Sequence, residues 1–243
     1  MKNTKEGNHK QFVTVPNIDL QKLGLEMSDI LIYAYLKKHY NSVTKDSFPS
    51  FQCLAEESGV SKPTVIKCVE RLQQAGYINI IKNKKVNHYT FSEINKFEIY
   101  SFDFLDDKTI SSKEKAYMIC MQQHMYKNPE LGIGKVTFSE LDIAEMLKID
   151  IRTLRKYESN LQQRDKPIVT LVPSKVRDPK TGLMIEERIF DFSAYNNLLA
   201  LKFREIDTKL DQKVSIEDYN KLLKEVKEIR KALLTKEVTP IQL

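Results

Sequence analysis

The stretch Leu54-Ala55-Glu56-Glu57-Ser58-Gly59-Val60-Ser61-Lys62-Pro63-Thr64-Val65 decides how this chain is read. It predicts one short helix, a tight turn and the start of a second. Ala55 is small enough to let two helices cross closely. Gly59 suits a turn in which one residue takes positive φ. Val60 plugs the gap between the helices. Ser61 can accept from the free N–H groups that open the next helix, and Pro63 sits in its first turn, where a missing donor costs nothing.

Outward from there the periods continue. Val65, Cys68, Val69 and Leu72 form an apolar stripe at i, i+3, i+4 and i+7. Gly76 stops that helix. Tyr77 to Lys82 and Val86 to Phe91 are β-rich runs around Asn83-Lys84-Lys85, which reads as a hairpin. Upstream, Phe51 to Glu57 is the preceding helix and Asn41 to Pro49 a turn-rich loop. A first helix carries Ile30, Leu31, Tyr33, Ala34 and Leu36, with Ser28 as its cap.

The order recurs. Ser111 or Ser112 opens a helix with Tyr117, Ile119 and Met121. A longer loop holding Pro129, Gly132 and Gly134 follows. Helices are expected over Phe138 to Leu147 and Asp150 to Leu161. Ile168 to Val172 and Met184 to Phe192 read as strands flanking the turn Asp178-Pro179-Lys180-Thr181-Gly182, with Ile185, Ile189 and Phe190 toward the core. At one constant offset Leu54-Ala55 falls on Ile143-Ala144, Val60 on Ile149, Ser61 on Asp150, Val65 on Leu154 and Leu72 on Leu161, which suggests an internal structural repeat.

From Leu54 through Val69, Leu72 and Gly76-Tyr77-Ile78, the chain resembles the helix-turn-helix of winged-helix DNA-binding proteins. That resemblance implies a mainly α fold with small β-hairpin wings (α+β): two tandem winged-helix domains plus a carboxyl-terminal helix. The divisions expected are a flexible arm over 1–20, a first domain over 21–96, a linker over 97–110, a second domain over 111–200 and a helical segment over 201–243. In the second copy Lys148 replaces the turn glycine, at some strain.

In such families the third helix enters the major groove and offers its first turns to base edges. On that reading the DNA-binding residues are Ser61, Lys62, Thr64, Lys67 and Arg71, then Arg152, Thr153, Arg155 and Lys156. The hairpins add Lys82, Lys84, Lys85, Lys175, Arg177 and Lys180, placed to meet phosphates or the minor groove. Near the carboxyl terminus Tyr219, Leu222, Val226, Ile229 and Leu233 alternate at three and four. They predict a dimerisation helix, the alternative being a helix packed on its own domain.

The bulk numbers agree. The net charge is +6, from 39 basic and 33 acidic residues, which favours a polyanion partner. Three scattered cysteines fit a reducing compartment, without disulfides or a zinc cluster. The polar start, Met1 to Lys10, and the absence of any 18-residue apolar stretch predict a cytoplasmic protein with no membrane contact. There is no phosphate loop, and Gly132-Ile133-Gly134-Lys135 lacks the third glycine of a dinucleotide fingerprint and is not expected to follow a strand. His9, His39, His88 and His124 show no metal-ligand spacing. Asp103, Asp106 and Asp107 read as a solvated linker group, with a nuclease-like metal site the less favoured alternative. The expectation is therefore a double-stranded-DNA-binding protein without catalytic site or cofactor. The leading role is a transcriptional regulator of a plasmid, phage or other mobile element; a replication initiator on origin repeats and a protein-interaction module are the alternatives. Replication or transcription proteins are the further partners considered.

Overall fold

Helix α2 (Met27–Lys38) explains the architecture, because Asp29 through Leu36 are all buried. A helix that is covered on every side needs neighbours on every side. Against it pack α3 (Phe51–Ser58), α4 (Lys62–Gln74), strand β1 (Phe12–Pro16) and a second central helix, α6 (Ser112–Gln122), which is equally enclosed. The computed structural model describes residues 12–83, 86–128, 133–178, 181–195 and 224. The chain divides into two compact units, Met1–Asn196 and Asn197–Leu243. Among the described residues no helix is long and apolar enough to cross a membrane.

The local signals act where expected. Ser50, Ser61, Ser139 and Asp150 cap α3, α4, α7 (Glu140–Leu147) and α8 (Ile151–Gln162). Ser111 and Glu114 form a capping box on α6. Helix α2 starts before the expected Ser28: Glu26 is its N-cap, and the Glu26 N–H donates to Asp29 at 2.8 Å. Gly59 ends α3 at φ 69°, and Lys148 ends α7 at φ 54°, so the lysine adopts the same left-handed conformation.

Strands β2 (Ile78–Asn83) and β3 (Val86–Phe91) form the first hairpin, and a bridge between Ser47 and Tyr89 ties β3 to the loop before α3. After α6 come β5 (Tyr126–Asn128), β6 (Ile133–Val136), α7, α8, β7 (Val169–Arg177) and β8 (Met184–Asp191), giving an antiparallel sheet in the order β5-β6-β8-β7. In the first half α2, α3 and α4 lead into the β2–β3 hairpin; in the second α6, α7 and α8 lead into β7 and β8, with β5 and β6 inserted after α6. The pair β5–β6 lies where the sequence read a loop, because Gly134 hides its strand character. Gly134 is needed there: a Cβ on it would collide with the Met125 side chain.

Two boundaries and one strand face differ from expectation. The arm drawn to residue 20 is built into the fold from Phe12: β1 pairs with β4 (Phe97–Ser101), and Val13, Val15 and Ile18 are buried. Residues 97–110, read as a linker, form β4 and α5 (Phe102–Asp106) and bury Tyr100, Phe104, Leu105 and Ile110. The segment is tied to both central helices: Tyr35 Oη on α2 donates to the Leu105 carbonyl at 2.5 Å, and Tyr100 Oη donates to the Ile119 carbonyl on α6 at 3.2 Å. On β8 the alternation puts Arg188, Phe190 and Phe192 inward, while Ile189 is only half-buried. The carboxyl-terminal helix and Tyr219, Leu222, Val226, Ile229 and Leu233 lie outside the described residues.

Candidate nucleic-acid interface

Helix α4 begins at a turn held from two sides. The Gly59 carbonyl accepts from Ser112 Oγ at 3.1 Å, tying the turn to α6. Ser61 Oγ accepts from the Thr64 N–H at 3.4 Å and shares a hydrogen bond with Thr64 Oγ1 at 2.7 Å. Val65, Cys68, Val69 and Leu72 face the core. The opposite face presents Ser61, Lys62 and Lys67, all exposed, with Thr64 half-buried beside them. The amino-terminal end of the helix dipole and two lysines form a positive surface suited to phosphates and base edges.

Arg71 does not join this face. Its Nε and Nη2 donate to Asp29 at 2.8 and 2.7 Å, and Nη2 also reaches Glu26 at 3.1 Å. The Asp29 side chain is wholly buried and that of Arg71 only 25% exposed. The hydrogen bond to Asp29 raises the pKa of Arg71 above its ordinary value. Arg71 is thus a bolt between α4 and α2: its Nε and Nη2 donors are closed on Asp29 and Glu26, which leaves Nη1 as the part of the fork that could reach a base.

On α8, Arg152 and Lys156 are exposed and Thr153 is half-buried. Arg155 closes a fork on Glu140 at 3.0 and 2.7 Å and, chiefly through that bond, holds Glu140 below the usual carboxylate range. This pair is on the surface, where salt screens it and partners exchange readily, so it restrains Arg155 far less than Asp29 restrains Arg71. In the hairpins Lys82 is exposed, and Arg177 is spent in part on the Gly182 carbonyl at 2.9 Å. Lys84, Lys85, Lys180 and the side chain of Lys175 lie outside the described residues.

The acidic group Asp103, Asp106 and Asp107 is not a solvated linker. Asp106 pairs with Lys38 at 2.6 Å, and Asp107 accepts from Tyr195 Oη at 2.5 Å and faces Arg164 at 3.6 Å. A second assembly had no signal in local spacing. Arg188 and Glu158 are fully buried and paired, Tyr117 Oη donates to Glu158 at 2.8 Å, and Arg188 also reaches the carbonyls of Phe138 and Glu186. It locks β8 onto α8 and the approach to α7.

Comparison with known proteins bears on one segment. No curated protein matches the chain. Residues 23–78, from the end of α1 (Leu20–Leu23) to the first residue of β2, match the family described as a helix-turn-helix domain. That segment contains the turn at Gly59 and the whole of α4, so this part of the chain is similar to a helix-turn-helix domain, a likeness that suggests DNA binding.

Proposed function

We propose that the protein binds double-stranded DNA sequence-specifically, with the exposed amino-terminal face of α4 in the major groove and the β2–β3 hairpin beside the backbone. The observation that carries this reading is the contrast within one helix. Arg71 fixes α4 to α2, while Ser61, Lys62, Thr64 and Lys67 are left facing outward. A rigidly held helix with a basic, hydrogen-bonding tip is what base readout needs. The net charge of +6 supports the same partner. The role we assign is a cytoplasmic transcriptional regulator of a mobile element, with no catalytic step.

A second reading draws support from the packing. The set α6, α7, α8, β7 and β8 repeats the order of the first half, and α2 packs directly on α6. Two winged helices held as one body would meet one long asymmetric site, as a replication initiator on origin repeats does. Selection from a random duplex pool at low and high salt separates the readings. An inverted repeat supports the regulator, binding as a dimer. A long asymmetric site supports the initiator. Absence of both enrichment and salt dependence rejects DNA binding and leaves a protein-interaction module.

A further inference from the structure

At the carboxyl end of α2, three side chains of different chemistry converge. His39 is the C-cap of α2, and Cys53 and Glu57 stand one turn apart on α3. His39 Nε2 lies 3.1 Å from Glu57 Oε2, Cys53 Sγ lies 3.6 Å from Glu57 Oε1, and Cys53 Sγ lies 3.9 Å from His39 Nε2. We propose that His39, Cys53 and Glu57 form a binding site for one divalent transition-metal ion of the zinc class.

The spacing is that of ligands already gathered. Bond lengths of about 2.0–2.3 Å to nitrogen, oxygen and sulfur put the edges of a tetrahedron at about 3.3–3.8 Å; one donor atom each from His39, Cys53 and Glu57 lies within 4.8 Å of the others, so a small rotation of the Glu57 carboxylate brings the set to that spacing. One thiolate and one imidazole select zinc or cobalt over magnesium and calcium, which prefer oxygen alone. The side chains of His39 and Glu57 are 31% and 30% exposed, so an ion can enter and a water can fill the fourth position. Binding converts the Cys53 thiol to thiolate and releases its proton to solvent. Lys38 competes for Glu57 at 3.3 Å, but it keeps Asp106 at 2.6 Å if displaced. The ion would fasten α2 to the last turn of α3, immediately before Gly59 and the recognition helix. The donor set is thus incomplete in any one element, and the intervening loop brings His39 to the other two.

The test is titration of the full-length, reduced, chelator-stripped protein with cobalt(II). The expected result is one equivalent bound, with intense visible bands of tetrahedral cobalt and a thiolate charge-transfer band, displaced by zinc. Cys53→Ser should abolish the charge-transfer band, and His39→Ala should weaken binding by more than about tenfold, since even losing a residue that merely supports a ligand costs about 10–100-fold. Zinc should raise the melting temperature of the parent but not of Cys53→Ser. Far-ultraviolet circular dichroism establishes that the variants fold. If Cys53→Ser does not, His39→Ala and Glu57→Gln carry the test alone. A weak octahedral spectrum, or a thiolate band that survives in Cys53→Ser, overturns the assignment.

Discussion

Replacing Arg71 with methionine separates a base-reading residue from a structural bolt. The substitution keeps the aliphatic stem and removes three hydrogen bonds to Asp29 and Glu26. It leaves the Asp29 carboxylate, wholly buried, with the Glu26 N–H at 2.8 Å and the Cys68 thiol as partners among those described. Stranding a buried charge in this way costs about 3–5 kcal/mol. Arg71 is 25% exposed, so water can enter the vacated space, and the expected loss falls to about 2–3 kcal/mol. For a chain of this length that lowers the melting temperature by about 5–10 °C. Asp29→Asn in the Arg71→Met background should recover part of the loss, because the amide carries no stranded charge. Urea denaturation followed by circular dichroism measures the stability, and fluorescence anisotropy on a selected duplex measures the affinity. At a temperature where both proteins are folded, Arg71→Met should bind DNA almost as the parent does. A variant of unchanged stability whose affinity falls tenfold or more would refute the assignment and return Arg71 to the base-reading set.

Lys62→Ala with Lys67→Ala should behave oppositely, keeping the melting temperature and weakening specific binding, each lost base contact being worth about 1–3 kcal/mol; unchanged affinity in anisotropy would remove α4 as the recognition helix. Arg188→Met should cost about 3–5 kcal/mol in urea denaturation, because Glu158 stays buried with the Tyr117 hydroxyl as its remaining side-chain hydrogen-bond donor among the described residues; a loss below about 1 kcal/mol would show that the pair does not hold β8 in place. Lys148→Gly should stabilise by about 0.5–1 kcal/mol, removing a left-handed penalty of about 1–2 kcal/mol against the greater chain entropy of glycine. Lys115 gives a pH signature. Burial, aided by nearby Lys108, lowers its pKa to about 8. The unfolded chain therefore binds the extra proton between about pH 8 and the ordinary lysine value. The burden of a buried ammonium is fully present below pH 8 and is relieved as pH rises through that window, so the parent should gain stability relative to Lys115→Met between pH 7.5 and 9.5 (conditions chosen to span about pH 8). A difference independent of pH would contradict it.

Elements whose causes lie within four residues were legible in the sequence. Gly59, Ser61, Pro63 and the stripe Val65, Cys68, Val69, Leu72 determine the turn and α4 by themselves, and Asp150 and the α8 stripe do the same, because caps, turns and helical faces are short-range physics. Lys148 even takes the glycine conformation at the matching turn. What only the tertiary structure decided are roles set by partners far along the chain. Arg71 and Lys67 are alike as solvent-facing basic residues on a helix wheel, and only Asp29, 42 residues away, makes one of them a bolt. Arg188 looks like an outward charge on a strand until Glu158 and Tyr117 meet it in the core. Residues 97–110 read as a linker because nothing local reveals that Tyr100, Phe104 and Leu105 are buried in the core beside α2 and α6. His39 joins Cys53 and Glu57 by the same route, since a loop, unlike a helix, fixes no spacing that the sequence displays.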